Sequence, residues 1–306
     1  MKKVISWFLS IAIIVALCPS MAVNAVWNGE VATEFSSGNG TSSFPYIIST
    51  PAELMLASKK VNAGEKALCF RLAADLDLNN QEWTPIGTDE NRYRGTFDGN
   101  GYVVKNFKIT SEVTNIGFFG VMVNAHVLNL GVENLTVEVY NKKSSFIGGF
   151  ASRAGGTIEN CYIANSSVRN LQRDGKEYAL GSFAGSIRMN STIKNSYAYN
   201  VKVCSSHKAY QSGFVGQFEG EGVKLENCYA ADITVDTTGA TEPSTASSTY
   251  SFGCINKTTD YKIKNCYTTV ANFQGASPYY SKLTMIKTVS SKADIVKYIV
   301  KDDEDS

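Results

Sequence analysis

Residues Ile147 to Val168, IGGFASRAGGTIENCYIANSSV, read as one turn of a coil. Small residues surround a single aromatic: Gly148, Gly149, Phe150, Ala151. A bend follows at Gly155 and Gly156. Then come a short strand signal, Thr157–Ile158–Glu159, a polar corner at Asn160, and Cys161–Tyr162–Ile163. The phrase recurs. Upstream it is IGFFGVMVNAHVLNLGV, with Phe119 and Asn129. Downstream it is LGSFAGSIRMNSTIKNSYA, with Phe183 and Asn195, then QSGFVGQFEGEGVKLENCYA, with Phe214 and Asn227. A degraded copy, YSFGCINKTTDYKIKNCYT, places Gly253 at the Phe position and Asn265 at the corner. The phenylalanines are spaced 31, 33 and 31 residues apart. Self-similarity at such a period marks a solenoid or array.

The runs are short, β-branched and aromatic, and Gly, Asn and Ser punctuate them. That is strand-and-turn chemistry, without the three-to-four periodicity of helical repeats. Stacked β-coils are expected, about six to seven rungs and roughly 30 Å of stack at the standard strand spacing. Two residues before the corner stand Val104, Val127, Ile158, Ile193, Leu225 and Ile263. One residue after it stand Phe107, Leu130, Cys161, Ser196, Cys228 and Cys266. Both columns suit an inward face. The corner column reads Asn106, Asn129, Asn160, Asn195, Asn227 and Asn265. Asn tolerates left-handed backbone, and its amide can bond the equivalent amide one rung away.

Residues 1–25 have the form of a secretory signal: Lys2 and Lys3, an apolar core from Phe8 to Leu17, and small residues up to Ala25. The core is short for a membrane span. Without that segment the chain carries 27 basic and 28 acidic residues. This balance points away from nucleic acid, and no membrane span is expected in the mature chain. Six cysteines follow the signal, Cys69, Cys161, Cys204, Cys228, Cys254 and Cys266. Three stand in the inward column as small hydrophobes. Rung spacing exceeds the roughly 3.8 Å between Cβ atoms that a disulfide prefers, so free thiols are expected.

Residues 26–69 form an N-terminal cap. Thr50, Pro51 and Glu53 start a helix over 51–62 with a capping box, and Gly64 stops it. Leu54, Leu56, Ala57 and Val61 supply its apolar face, which would cover the open end of the stack. Phe70 to Leu78 alternates, with Leu72, Ala74, Leu76 and Leu78 inward and Asp75 and Asp77 outward. The repeats are expected to end at Phe273. A C-terminal cap over 274–306, with a short helix after Ser290 or Ser291 and an acidic tail, would close the other end.

The phrases PYIISTPAEL (45–54), FRLAADLDLNN (70–80), EWTPIG (82–87), GTFDGNGYVVKNFKI (95–109), IGFFG (116–120), NLGVENLTV (129–137) and SGFVG (212–216) carry a family resemblance. From Val26 to about Phe273 the chain resembles the GLUG-motif proteins of bacterial surfaces. The family often has an aliphatic residue where Phe119, Phe150, Phe183 and Phe214 stand. The resemblance implies an all-β, right-handed parallel β-helix of pectin-lyase-like form, secreted or at the cell surface. Such helices often sit within larger adhesin-like or peptidase-associated chains. No catalytic residue is implied.

Two residues after the corner stand Tyr162, Tyr197, Tyr229 and Tyr267, an outward ladder if Cys161 and its equivalents point inward. Ring faces with a polar tip can hold glycan, and equally stabilise an exposed sheet. Polysaccharide or a cell-surface glycoprotein is therefore the expected partner of a monomeric, non-catalytic, adhesin-like module. No metal and no cofactor is expected. An enzyme reading would use Asp75 and Asp77, about 7 Å apart on one strand face, with Asp98 for calcium and Arg92 or Arg94 as base. Turn chemistry explains Asp98 equally well. His126 and His207 lack an evident partner, and Cys204 with His207 is a weak thiol pair. A third reading is a spacer or a segment of a larger surface protein. Five Asn-x-Ser/Thr triplets, at Asn39, Asn134, Asn165, Asn190 and Asn256, are read as coincidence.

Overall fold

The computed structural model describes residues 26–110, 115–140, 146–171, 178–206, 209–236, 248–250, 252–255, 261–269, 272–274 and 286–289. It is a parallel β-solenoid. Four walls hold eight, ten, five and four strands, all paired in parallel with the equivalent strand of the next coil. The central coil shows the path. Phe146–Gly148 lies in the four-stranded wall, Ala151–Ala154 in the five-stranded wall, Gly156–Glu159 in the eight-stranded wall and Tyr162–Asn170 in the ten-stranded wall. About five coils carry the five-stranded wall, fewer than the six to seven rungs expected. At the N-terminal end isolated bridges, Ile86 to Phe119 and Tyr93 to Met122, stand in its place.

The repeated phrase turns out to be a close-packing device. Phe150 is fully buried and stacks on Phe183 at 4.7 Å between centroids, with the rings 7° apart. Phe119 lies 5.6 Å away on one side, and Phe183, Phe214 and Phe252 continue the column at 4.8 Å each. The fifth ring is Phe252, which stands as far before its corner Asn265 as Phe214 does before Asn227, so the last copy is less degraded than the assignment of Gly253 implied. Glycines beside the rings let two walls touch. A methyl on Gly148 would sit 2.2 Å from Ala151 O and 2.4 Å from Gly185 N of the next coil. One on Gly185 would sit 2.5 Å from Ile147 N.

The corner asparagines adopt left-handed backbone, with φ between 50° and 55° at Asn129, Asn160, Asn195, Asn227 and Asn265. Their amides bond up the stack: Asn160 Nδ2 donates to Asn129 Oδ1 at 3.0 Å, Asn195 to Asn160 at 3.2 Å, Asn227 to Asn195 at 2.9 Å. Asn106 is not part of this column. In the eight-stranded wall the partner of Val127 is Phe97, and Val104 pairs with Val132 in the ten-stranded wall. Asn106 opens a second ladder: Asn134 donates to it at 2.9 Å, and Asn200 donates to Asn165 at 2.8 Å. This bend interrupts the long strands of the ten-stranded wall. It gives Asn134 and Asn165 a structural reason to be asparagine, and Asn190 shares the same backbone conformation.

The helix spans Pro51–Asn62, capped as expected: Thr50 Oγ1 accepts from Glu53 N, and Glu53 Oε2 accepts from Thr50 N at 3.0 Å. It is the one helix among the described residues. Leu54, Ala57 and Val61 are fully buried in the common core. Ser58 Oγ donates to Thr84 O at 2.7 Å, and Asn62 Nδ2 to Pro85 O at 2.9 Å, tying the helix to the Trp83–Gly87 bridge. Phe70 to Leu78 is not one strand. Phe70–Leu72 and Leu76–Glu82 belong to different walls, with a turn between and Ala74 half-buried. Beyond Phe273, Ile286–Val289 pairs in parallel with Cys266–Thr269, so strand stacking continues past the expected end. The expected signal segment, C-terminal helix and acidic tail lie outside the described residues. Cys69, Cys161, Cys204, Cys228 and Cys266 are free and buried. Burial pushes the Cys161 thiol up to about 12.

Two outcomes follow. Phe150→Ala removes a ring held between two others and should cost about 3–5 kcal/mol, read as a fall in chemical-denaturation stability; an unchanged midpoint would contradict the stack. Asn160→Ala should cost more than Asn160→Gly. Both lose the amide bonds, and alanine adds about 1–2 kcal/mol of left-handed strain. Equal losses by urea denaturation would contradict the corner geometry.

Candidate functional site

The tyrosines align as their spacing implied. Tyr162 pairs with Tyr197, Tyr197 with Tyr229 and Tyr229 with Tyr267 on successive strands of the ten-stranded wall. The rings of Tyr162 and Tyr197 lie 4.9 Å apart and 2° from parallel; those of Tyr197 and Tyr229, 4.7 Å and 3°. At this spacing each ring face rests on its neighbour. The free face of Tyr162 covers Gly131, where a methyl would come within 2.6 Å of the ring. The ladder therefore offers ring edges and phenol oxygens, not the open faces that a stacked sugar needs. Tyr267 is only 1% exposed and clusters with Ala231, Tyr199 and Tyr229. The accessible row is Tyr162, Tyr197 and Tyr229, each half-buried.

Two further residues belong to this surface. Glu133 Oε1 accepts from the Tyr162 phenol at 2.7 Å. Tyr199 lies two residues along the strand from Tyr197, on the same face, and like Tyr229 packs against Ala231 and Tyr267. The period-2 spacing of Tyr197 and Tyr199 was the available signal. Burial holds the Tyr162 phenol neutral well above its ordinary range, and the hydrogen bond and charge of Glu133 add to this. Burial and then the Tyr197 charge do the same at Tyr229. Tyr199 is raised by its hydrogen bond to Asp232.

The residues considered for catalysis are engaged elsewhere. Asp75 accepts from Val103 N at 2.9 Å. Asp77 accepts from Asn79 N at 2.9 Å and Asn106 Nδ2 at 2.8 Å. Both lie exposed on either side of buried Leu76, and each carboxylate is held by these local bonds. Asp98 accepts from Asn100 N at 2.8 Å and faces Arg71 Nε at 3.3 Å, holding the Asn100 turn. Arg92 Nε donates to Asp89 O, and Arg94 is exposed. His126 lies 3.6 Å from Glu159. Cys204 is buried, with its thiol raised by burial, and His207 lies outside the described residues. Among the described residues no group of His, Cys, Asp or Glu is placed to hold a metal ion.

No family model matches the chain. It is 33% identical over 139 residues to a protein of Evansella cellulosilytica provisionally named a Gly-rich membrane protein, across 42% of this chain and 15% of that one. It is 27% identical over 185 residues to halomucin of Haloquadratum walsbyi, across 56% of this chain and 2% of halomucin. The chain thus spans a small part of the curated relatives it matches. Among solved structures, a Bacteroides ovatus protein provisionally named an immunoglobulin A1 protease superposes with a TM-score of 0.59 at 20% identity, over 87% of this chain and 90% of that one. That likeness establishes the β-solenoid fold. Among the described residues no helix is long and apolar enough to cross a membrane.

The ladder's neutral phenols favour folding, because their folded-state pKa values are raised. This contribution is fully present below about pH 10 and is lost as pH rises through the folded values. Glu133→Gln should bring the Tyr162 ionisation down, followed by phenolate absorbance; an unshifted titration would contradict the Glu133 contact.

Proposed function

We propose that this chain is a non-catalytic, adhesin-like module of a secreted or cell-surface protein, holding polysaccharide or a cell-surface glycoprotein along its ten-stranded wall. The observation that carries the reading is the in-register row of phenol edges at Tyr162, Tyr197 and Tyr229, flanked by Tyr199 and Glu133. Repetition at the rung spacing suits an extended ligand that meets several weak phenol contacts. A module of this size fits longer relatives, one provisionally named a Gly-rich membrane protein and one named halomucin. The resemblance to GLUG-motif surface proteins agrees.

A specific observation favours a second reading, a stiff spacer: the ring faces are spent on one another. Loss of Tyr197 would remove two such contacts at about 0.5–1.5 kcal/mol each. Truncation to alanine therefore confuses binding with stability.

The test replaces Tyr197 and Tyr229 by Phe, which keeps the stack and removes the phenols. Calorimetry against soluble polysaccharides and mucin should show wild-type binding and about tenfold weakening in the double variant, at an unchanged melting temperature. Equal binding would remove the row from the site, and a wild type that binds nothing would leave the spacer. Calcium-dependent release of unsaturated oligosaccharides would overturn the non-catalytic reading.

A further inference from the structure

The eight-stranded wall carries two outward columns, and they are charged in opposite ways. One reads Glu159, Lys194, Glu226, Lys264 from coil to coil. Its signs alternate, and its members pair: Lys194 Nζ to Glu159 at 2.5 Å, Lys264 Nζ to Glu226 at 3.7 Å. The other reads Thr157, Thr192, Lys224, Lys262. Here two lysines stand directly opposite each other on adjacent strands, an arrangement that destabilises a sheet. Both are exposed, and neither has an acidic partner among the described residues. The two lysines, with Asn190 and Gly222, line a cleft of about 170 Å³. Gly222 shapes it: a methyl there would lie 2.3 Å from Asn190 Oδ1. The same wall that neutralises its charges in one column leaves two cations converging on a cleft in the next.

We propose that this cleft is a binding site for an acidic group, the carboxylate or sulfate of an acidic polysaccharide. The inference rests on the module reading and names its substrate class. Two ammonium groups supply charge-assisted hydrogen bonds to one anion, and the ligand's charge relieves their mutual repulsion. The threonine hydroxyls of Thr192 and Thr157 continue the column and offer neutral donors and acceptors to the polymer beyond the charged group. The cleft lies on the eight-stranded wall, separate from the tyrosine row on the ten-stranded one. The two surfaces can therefore be tested independently.

The experiment measures binding of polygalacturonate, dextran sulfate and neutral dextran to the whole chain and to Lys224→Gln/Lys262→Gln. Wild type should bind at least one acidic polymer, more weakly as salt rises. The polymer it prefers distinguishes carboxylate from sulfate. The double variant should bind that polymer about tenfold more weakly. Its melting temperature should be no lower, since only repulsion is removed. Absence of wild-type binding to both acidic polymers, or binding by the variant within about twofold of wild type, overturns the inference. If the lysine variant is unaffected while the tyrosine-to-phenylalanine variant loses binding, the cleft falls and the module reading stands. If no polymer and no mucin binds, both fall.

Discussion

Everything in this solenoid depends on backbone coming close to backbone beside a column of phenylalanine rings. A parallel coil stack has no hairpins to set its register, so side-chain columns must do so. Phe150, Phe183, Phe214 and Phe252 repeat at 4.7–4.8 Å, the spacing of parallel strands. A one-residue slip would drive each ring out of the core. The glycines at 148 and 185 let the four- and five-stranded walls meet without side chains between them. Glycine and phenylalanine together make the contact between these walls, and the ring recurs once per coil from Phe119 to Phe252.

Register was legible because its columns are periodic. The inward set Val127, Ile158, Ile193, Leu225 and Ile263 is buried and paired rung to rung. The capping helix was legible for a local reason, since Thr50, Pro51 and Glu53 make its start signal within four residues. Asn106 was misplaced because two asparagine ladders run along the same stack. Spacing alone does not distinguish a corner from the bend inside the long strands. Val104 looks like Val127 in sequence, yet the chain in that coil reaches the eight-stranded wall earlier, at Phe97. Phe70 to Leu78 looked like one strand because alternation continues across the bend at Ala74, which the pattern does not mark.

The candidate site was legible in position and not in orientation. Tyrosines at equivalent places must stack, but a stacked ring has spent its faces. What remains for a partner is hydrogen-bonding edge, reinforced at Tyr162 by Glu133. The lysine cleft was missed for a different reason. In one dimension Lys224 and Lys262 are 38 residues apart, and parallel pairing of their strands sets them side by side. Surface electrostatics on a solenoid is a property of columns. Alternation in one column and repulsion in its neighbour becomes visible once the register is known.

The most direct test of the account is hydrogen exchange on Gly148→Ala beside wild type. Because that methyl would collide with backbone of its own coil and of the next, the account predicts lost amide protection in Phe146–Ala154 and in the strands Phe119–Val121 and Ala184–Arg188 on either side. Protection unchanged everywhere, or lost only within Phe146–Ala154, would show that the coils do not depend on this contact and would contradict the account.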